Sequence, residues 1–475
     1  MNAKNAPRLS SCGLLLSLLL TGCATSEGLT THNSVLSPDS LQAQKSLAGV
    51  HFSPAAWPQQ AWWKNFNDPQ LNQLIDQALA SSPDLQIVNA QAAKANAAVV
   101  AAEAARMPTL DADGSVTRSR IARVDDPLLE GHRYSTLRSA YLSASYTLDL
   151  WGGQKAAWES ALGAARASEV DKQGARLTLA ANVTRAYINL NLNKELEKLA
   201  EENVKRTESI SQLQQKYFAN GLSTRYQYNQ ARATAKSAEQ ALTAARQATV
   251  DAGIKLSILL GKGPDAWRSL RQVQLSVPQN MTLPSDIPAE LVGRRPDVVA
   301  ARWRVESAEK NIAAVKTEFY PNINLVAEAG SRNLLGDAFF GAPSQFFNIG
   351  PTLSLPIFDG GKRRADLATS NADWDLAVAH YNSTVISALG NISDSIVSMK
   401  SLGEQTDQAQ QANQLVHSAW DDVSKEYSAG LRPFLDVLSL QSQLIESDQQ
   451  VAELKAQQLN QAVLLIEQLG GGFKA

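Results

Sequence analysis

Leu353-Ser-Leu-Pro-Ile-Phe-Asp-Gly-Gly361 is the stretch that decides how this chain folds. Upstream and into it, apolar residues alternate: Phe347, Ile349, Leu353, Leu355 and Ile357 fall on one face, and Asn348, Thr352 and Ser354 on the other. Downstream there is no proline until Pro433, and the composition turns to Ala, Gln, Asp, Lys and Leu. Period two giving way to a proline-free, helix-rich run predicts a strand that passes through a hinge (Pro356, Gly360, Gly361) into a helix of roughly seventy residues, about 100 Å long. The same event stands earlier in the chain. Leu142, Ala144, Tyr146, Leu148 and Leu150 alternate, Trp151-Gly152-Gly153 follows, and proline is then absent until Pro264.

Two such junctions predict an internal duplication, and separate anchors agree. Pro83-Asp84 recurs as Pro296-Asp297 and Pro108 as Pro321, Gly152-Gly153 recurs as Gly360-Gly361, Gly221-Leu222 as Gly430-Leu431, and Leu260-Gly261 as Leu469-Gly470. Each half reads helix, strand, loop, strand, long helix, tight turn, long helix. The expected organisation is a signal segment over 1–22, a tether over 23–68, a first repeat over 69–265, a linker over 266–288 and a second repeat over 289–475.

Composition narrows the function. With 44 basic and 46 acidic side chains the net charge is −2, which leaves no nucleic-acid footprint. The two cysteines, Cys12 and Cys23, lie at the N-terminus, so the body holds neither disulfide nor thiol chemistry. The five histidines show no metal-ligand spacing, and no phosphate loop or nucleophile elbow is present; the chain reads as a non-enzyme without metal or cofactor.

The N-terminus carries an address. Lys4 and Arg8 precede a short Leu-rich core, Gly13 to Leu20, too brief for an ordinary membrane span. It ends in Leu20-Thr21-Gly22-Cys23, which resembles a bacterial lipobox and makes Cys23 the expected lipidation site. Ala24 rather than Asp follows, which by the same resemblance releases the lipoprotein from the inner membrane. Residues 24–56 are Ser-, Thr-, Gln- and Ala-rich without a period, as in an extended tether. Trp57, Trp62, Trp63 and Phe66 are expected to pack against the helices, and Asp68-Pro69 to cap the next one.

Beyond Pro108 and Pro321 further alternating runs begin, Leu110 to Arg120 and Asn322 to Ser331, with loops around Asp125–Pro127 and Leu335–Gly341. Four strands of about ten residues, apolar on one side and polar on the other, suit a transmembrane barrel, although a soluble sheet on helices would alternate equally well. In lipid four strands cannot close, because an open edge leaves backbone groups unpaired. Several chains must then share one barrel. The long helices carry seven-residue spacing: Ala231, Ala238, Ala245 and Ala252 continue to Leu259, and Val437, Leu440, Leu444, Val451 and Leu454 hold a and d positions with Ser447 interrupting. That is coiled-coil packing, with Ala allowing close approach.

The lipobox, the Trp62-Trp-Lys-Asn-Phe-Asn-Asp-Pro-Gln-Leu71 run, Arg294-Arg-Pro-Asp297, Phe319-Tyr-Pro321 and Leu355-Pro-Ile-Phe-Asp-Gly-Gly361 together resemble the outer membrane factors of tripartite efflux pumps, TolC-like proteins, and within them the NodT-type lipoproteins. The resemblance implies a mixed α and β membrane protein, with four strands per chain in a trimeric twelve-stranded barrel and a periplasmic α-helical barrel. It further implies a lipid-anchored exit duct in the outer membrane, a periplasmic adaptor and an inner-membrane pump as partners, and passive export of small molecules. The turns at Gly221, Leu222, Gly430 and Leu431 would be the tips that meet the adaptor. Tyr427, Arg432 and Asp436 match the family's gating pattern, with Asp436 forming a carboxylate ring. The sequence departs from that pattern at Ser439 and Gln227, where some relatives carry acids. A lipid-anchored coiled-coil scaffold without a pore is the alternative these residues leave open.

Overall fold

The computed structural model describes residues 25–37, 40–41, 57–120, 122, 134–272, 275, 293–334 and 338–474. The signal segment, Cys23, the Asp125–Pro127 turn and most of the 266–288 linker lie outside the described residues. In chain order the helices and strands are α1 (Pro69–Ser81), α2 (Pro83–Ala104), β1 (Thr109–Arg120), β2 (Tyr134–Leu148), α3 (Gly153–Ala219) and α4 (Arg225–Leu259). Then follow α5 (Pro296–Thr317), β3 (Asn322–Asn333), β4 (Gln345–Ser354), α6 (Lys362–Ser428) and α7 (Phe434–Gln468). α3 and α6 have 67 residues each, and α4 and α7 have 35 each. No helix among the described residues is long and apolar enough to cross a membrane.

The chain divides into two compact units. The first comprises residues 1–35, 92–168 and 301–381. Its centre is one antiparallel sheet in the order β1-β2-β3-β4. The register Leu110↔Ala144, Ala144↔Ala327 and Ala327↔Ile349 runs a row of apolar side chains straight across one face. The rows beside it, Ala112, Leu142, Ala329, Phe347 and Tyr146, Leu325, Pro351, are apolar too. The opposite face carries Asp111, Asp113, Ser143, Asn324, Glu328, Asn348 and Thr352. β4 stops at Ser354, short of the Leu355 and Ile357 expected on its face. Its partner β3 begins at Asn322, so Ser354 is the last residue with a strand to bond.

The helices of this unit pack through small residues. Gly163 faces Ser307, where an added Cβ would sit 3.1 Å from the serine Cβ, and Ser307 Oγ donates to the Ser160 carbonyl at 2.8 Å. Lys310 pairs with Glu159 at 2.7 Å, and Arg166 stacks 4.6 Å over Trp303. The N-terminal segment lies along α6. Arg364 donates to the carbonyls of Thr25 and Glu27, and the Asp375 carboxylate accepts the N–H groups of His32 and Asn33 at 2.9 and 2.8 Å. Those amides hold the Asp375 carboxyl below its ordinary pKa.

The second unit comprises residues 36–91, 169–300 and 382–475. Its core joins Trp62, Phe66, Leu71 and Ile75 to Tyr187 and Ile188 of α3, Leu256 of α4 and Val463 of α7. Trp62 meets Trp63 and Phe66 edge to face, at 5.7 and 6.3 Å. Asp68 does two jobs. Its Oδ1 caps α1 by accepting the Gln70 N–H at 2.8 Å, and its Oδ2 accepts the Tyr187 hydroxyl at 2.8 Å. On α4 the buried residues Ala231, Ala235, Ala238, Thr249, Ala252 and Leu256 follow a spacing of four and three, the seam of a coiled coil, and Gly253 and Ser257 widen that seam near the end of the helix.

Tyr187→Phe removes the hydroxyl that donates to the buried Asp68 carboxylate, the same group that caps α1. It should destabilise the folded state by about 1.5–3 kcal/mol, the range for a hydrogen bond to a charged group, measured by denaturant unfolding of detergent-solubilised protein.

Candidate functional site

The residues singled out by the sequence fall at two kinds of position: the junctions where strands become helices, and the turns of the long hairpins. At the first junction Gly152 takes φ of +76°, and Gly153 comes so close to Thr317 that a Cβ there would overlap its side chain. Asp149 caps α3, accepting the N–H groups of Gln154 and Lys155 at 3.1 and 2.9 Å. Trp151 donates to the Pro321 carbonyl at 2.7 Å and stacks on Tyr320, with ring centroids 4.9 Å apart. At the second junction Gly360 and Gly361 take φ of +68° and +93°. Asp359 accepts the Gly361 N–H at 3.0 Å and the Arg363 side chain at 2.6 Å. Arg363 is buried. It donates on to the Pro356 carbonyl at 2.7 Å and to that of Glu318 at 3.3 Å, over the Phe319 ring. Asp149, Asp359 and Arg363 were not singled out from the sequence; an Asp a few residues ahead of a Gly-Gly pair that opens a helix is the signal that would have found them.

The hairpin turns are two copies of one motif. Leu222 N–H donates to the Tyr217 carbonyl at 2.8 Å and Gly221 N–H to that of Phe218 at 3.1 Å. Leu431 and Gly430 repeat this with Glu426 and Tyr427, both at 2.9 Å. These are Schellman endings, which need a left-handed residue after the last helical turn. Gly221 and Gly430 supply it with φ of +73° and +77°. Both leucines point outward, Leu222 and Leu431 being 74% and 76% exposed, and Tyr226 and Leu435 beside them are also exposed. The return helix at the first turn starts on a capping box between Thr224 and Gln227. Gln227 thus has a local partner of its own.

Of the three residues expected at a gate, the structure joins Arg432 and Asp436 and separates Tyr427 from them. Arg432 Nε donates to Glu426 Oε2 at 2.6 Å, and Arg432 Nη1 lies 3.6 Å from Asp436 Oδ2. One guanidinium therefore serves the carboxylates on both sides of the turn. Tyr427 is buried instead, bonded at its hydroxyl to Gln214 of α3, 6.1 Å from the Tyr217 ring and 6.2 Å from Phe434. Burial pushes its phenol pKa up. A groove of about 490 Å³ opens alongside, walled by Arg206, Leu213, Trp420, Tyr427 and Val437. Among the described residues no three His, Cys, Asp or Glu side chains gather as a metal site.

A sheet apolar on one face, in a chain that also holds long coiled-coil hairpins, fits an outer-membrane channel protein. The family model described as outer membrane efflux protein matches residues 74–262 and 287–471, and the chain belongs to that family. It is 35% identical over 365 residues to the fusaric acid resistance protein FusA of Burkholderia cepacia, spanning 76% of this chain and 68% of the relative. To the pyoverdine export outer membrane protein OpmQ of Pseudomonas putida it is 29% identical, over 98% of this chain and 97% of the relative. Among solved structures, the outer membrane protein VceC of Vibrio cholerae superposes with a TM-score of 0.80 at 30% identity, covering 88% of this chain and all of the other.

The second junction has a pH signature. Arg363 is the chief cause of an Asp359 pKa lowered to about 2. A carboxyl depressed in this way stabilises the fold at every pH above its unfolded value of about 3.9 and loses that contribution as pH falls through the folded one. The protection of Gly361–Ala365 against hydrogen exchange, relative to the intrinsic rate at each pH, should hold well below pH 4 and fall as pH drops through about 2. Asp359→Asn should lower that protection already at neutral pH.

Proposed function

We propose that three copies of this chain close a twelve-stranded barrel in the outer membrane and, through their long hairpins, form a passive duct for small molecules delivered by an inner-membrane pump and a periplasmic adaptor. The observation that carries this reading is the pair of open edges. Among the described residues β1 and β4 each bond on one side only, while the sheet they bound presents an apolar face. In hydrocarbon each unpaired N–H or C=O costs several kcal/mol, so β4 of one copy must meet β1 of the next. A closed ring of three four-stranded sheets satisfies every edge, within the even strand numbers that such barrels use.

Within that assembly Cys23 is the acylated residue that adds a lipid anchor, and the Arg364 and Asp375 contacts draw the following segment along α6. The Gly221–Leu222 and Gly430–Leu431 turns are the adaptor-facing tips, their exposed leucines offering apolar contact where the chain reverses. Fusaric acid resistance and pyoverdine export belong to the named relatives; for this chain the cargo is drugs or other small molecules. The work is conduction, with selection left to the pump. At the gate, Arg432 screens Glu426 and Asp436, so the charge of the constriction is set by the three residues together.

Mass measurement in detergent should give three chains, and the reconstituted protein should show single-channel conductance in planar bilayers. A folded monomer, or a trimer that never conducts, would return the chain to the class of envelope scaffolds. Cys23→Ser should abolish acylation yet leave conductance, because the strands supply most of the membrane burial. In asymmetric salt Asp436→Asn should lower cation preference. Arg432→Gln, which unmasks two carboxylates per chain, should raise it. Reversal potentials that move in neither variant would place this turn away from the conduction path.

A further inference from the structure

The two faces of the sheet differ in charge as well as in polarity. All the acidic residues of the four strands, Asp111, Asp113 and Glu328, share the polar face. The apolar face has none, and its charged residues are three arginines gathered at the loop end: Arg118 and Arg120 of β1 and Arg138 of β2. The register fixes their arrangement. Arg138 lies opposite Val116, Arg118 opposite Thr136, and Arg120 opposite Tyr134. Arg118 and Arg120 are thus about 7 Å apart on one strand face, and Arg138 is a diagonal neighbour of Arg118 at about 7–8 Å. Tyr134 lies beneath the guanidinium groups, with Arg118 5.5 Å and Arg120 6.0 Å from its ring centre. All three arginines are exposed, and none has a carboxylate partner among the described residues.

The arginines also stand at a definite height on the sheet. Leu148, the last apolar residue of β2 toward the helix end, begins the band, and Arg138 stands ten residues away along the same strand. At about 3.4 Å per residue and a tilt near 40°, that separation is roughly 26 Å along the membrane normal, against an apolar band of about 25 Å. The arginines therefore start where the hydrocarbon ends, on the side away from the helices. Three like charges this close repel one another unless an anion lies among them, and on the lipid side of the sheet headgroup phosphates stand at that height. One phosphodiester carries too little charge to balance three guanidinium groups. A headgroup bearing two phosphates matches them, and arginine forks bind phosphate oxygens in pairs.

We propose that Arg118, Arg120 and Arg138, set around Tyr134, form a binding site for the diphosphorylated headgroup of a glycolipid in the outer leaflet. The site rests on the reading of this face as lipid-facing. In the neighbouring copy of a trimer the same three side chains recur, so each assembly would hold three such lipids against its outer wall.

The full-length protein in phosphatidylcholine nanodiscs, titrated with fluorescent diphosphoryl lipid A, tests this. Saturable binding is expected. It should weaken at least about tenfold in the R118Q/R120Q/R138Q variant, since each arginine at a membrane surface contributes severalfold. The triple Lys variant should recover much of it, and Arg332→Gln, at the same end but on the polar face, should bind as the wild type does. Monophosphoryl lipid A should bind wild-type protein several times more weakly, a comparison that needs no variant to fold. Undiminished binding by the triple Gln variant, equal binding of the two lipid A forms, or displacement of the probe by an equal mole fraction of phosphatidylglycerol would each overturn the proposal. Conductance recorded on the same wild-type preparation separates the two readings. A conducting trimer that ignores the probe refutes the site alone, and a preparation that neither inserts nor conducts refutes the lipid-facing assignment beneath it.

Discussion

Unpaired backbone at the two outer strands is the constraint on which this molecule depends. β1 and β4 each leave a row of N–H and C=O groups with no partner in their own sheet. In water such an edge is a hazard that proteins blunt with charge, proline or a covering loop. Here β1 carries Asp111, Asp113, Arg118 and Arg120 and β4 carries Pro351, yet each also presents an apolar run, Leu110, Ala112 and Val116 on β1 and Phe347, Ile349 and Leu353 on β4, that water would not favour leaving bare. A chain built this way leaves its own assembly unfinished, and completion must come from copies of itself.

The rest of the structure makes such completion repeatable. The junctions are held by short-range cages: Asp149 and Asp359 close on the first turns of α3 and α6, and Arg363 ties the end of α5 to Pro356 and Asp359. The helices pack through glycine, alanine and serine, which lets backbones approach and leaves little side-chain freedom to lose. At the turns, the same two hydrogen bonds end α3 and α6, and the same pattern recurs at the ends of α4 and α7, where Gly261 and Gly470 take φ of +66° and +85°. Four helix ends share one solution because the physical problem, stopping a long helix abruptly, is the same four times.

How much of this could be read from the sequence follows from how local each signal is. The change from period two to a proline-free run marks each strand-to-helix passage within a dozen residues, and the glycines that need positive φ announce the turns. The heptad of alanines on α4 is equally local, and Ala231, Ala238 and Ala252 are buried while Ala245 is half-buried. Strand ends were less legible. Alternation runs on through Leu355 and Ile357, but a strand lasts only as far as its partner, and β3 supplies none beyond Asn322. Tyr427 shows the same limit at the candidate site. Its neighbours in sequence say hairpin turn, whereas its position is set by Gln214, more than two hundred residues away, and by rings from two other helices. The sharing of Arg432 between Glu426 and Asp436 was hidden for another reason: sequence spacing shows that two acids are near, and not which one the guanidinium grips.

The matched helix lengths have an evolutionary consequence. α3 and α6 are 67 residues each, and α4 and α7 are 35 each. One residue inserted into any of them advances everything beyond it by about 1.5 Å and turns it by about 100°, which throws the apolar seam off its partner. Only steps near seven residues restore the phase, and only if the antiparallel helix across the turn gains the same number. Homologues that differ in reach should therefore differ by whole heptads, gained or lost in both arms of a hairpin and in both halves of the chain together. Single-residue gaps in alignments should gather in the loops.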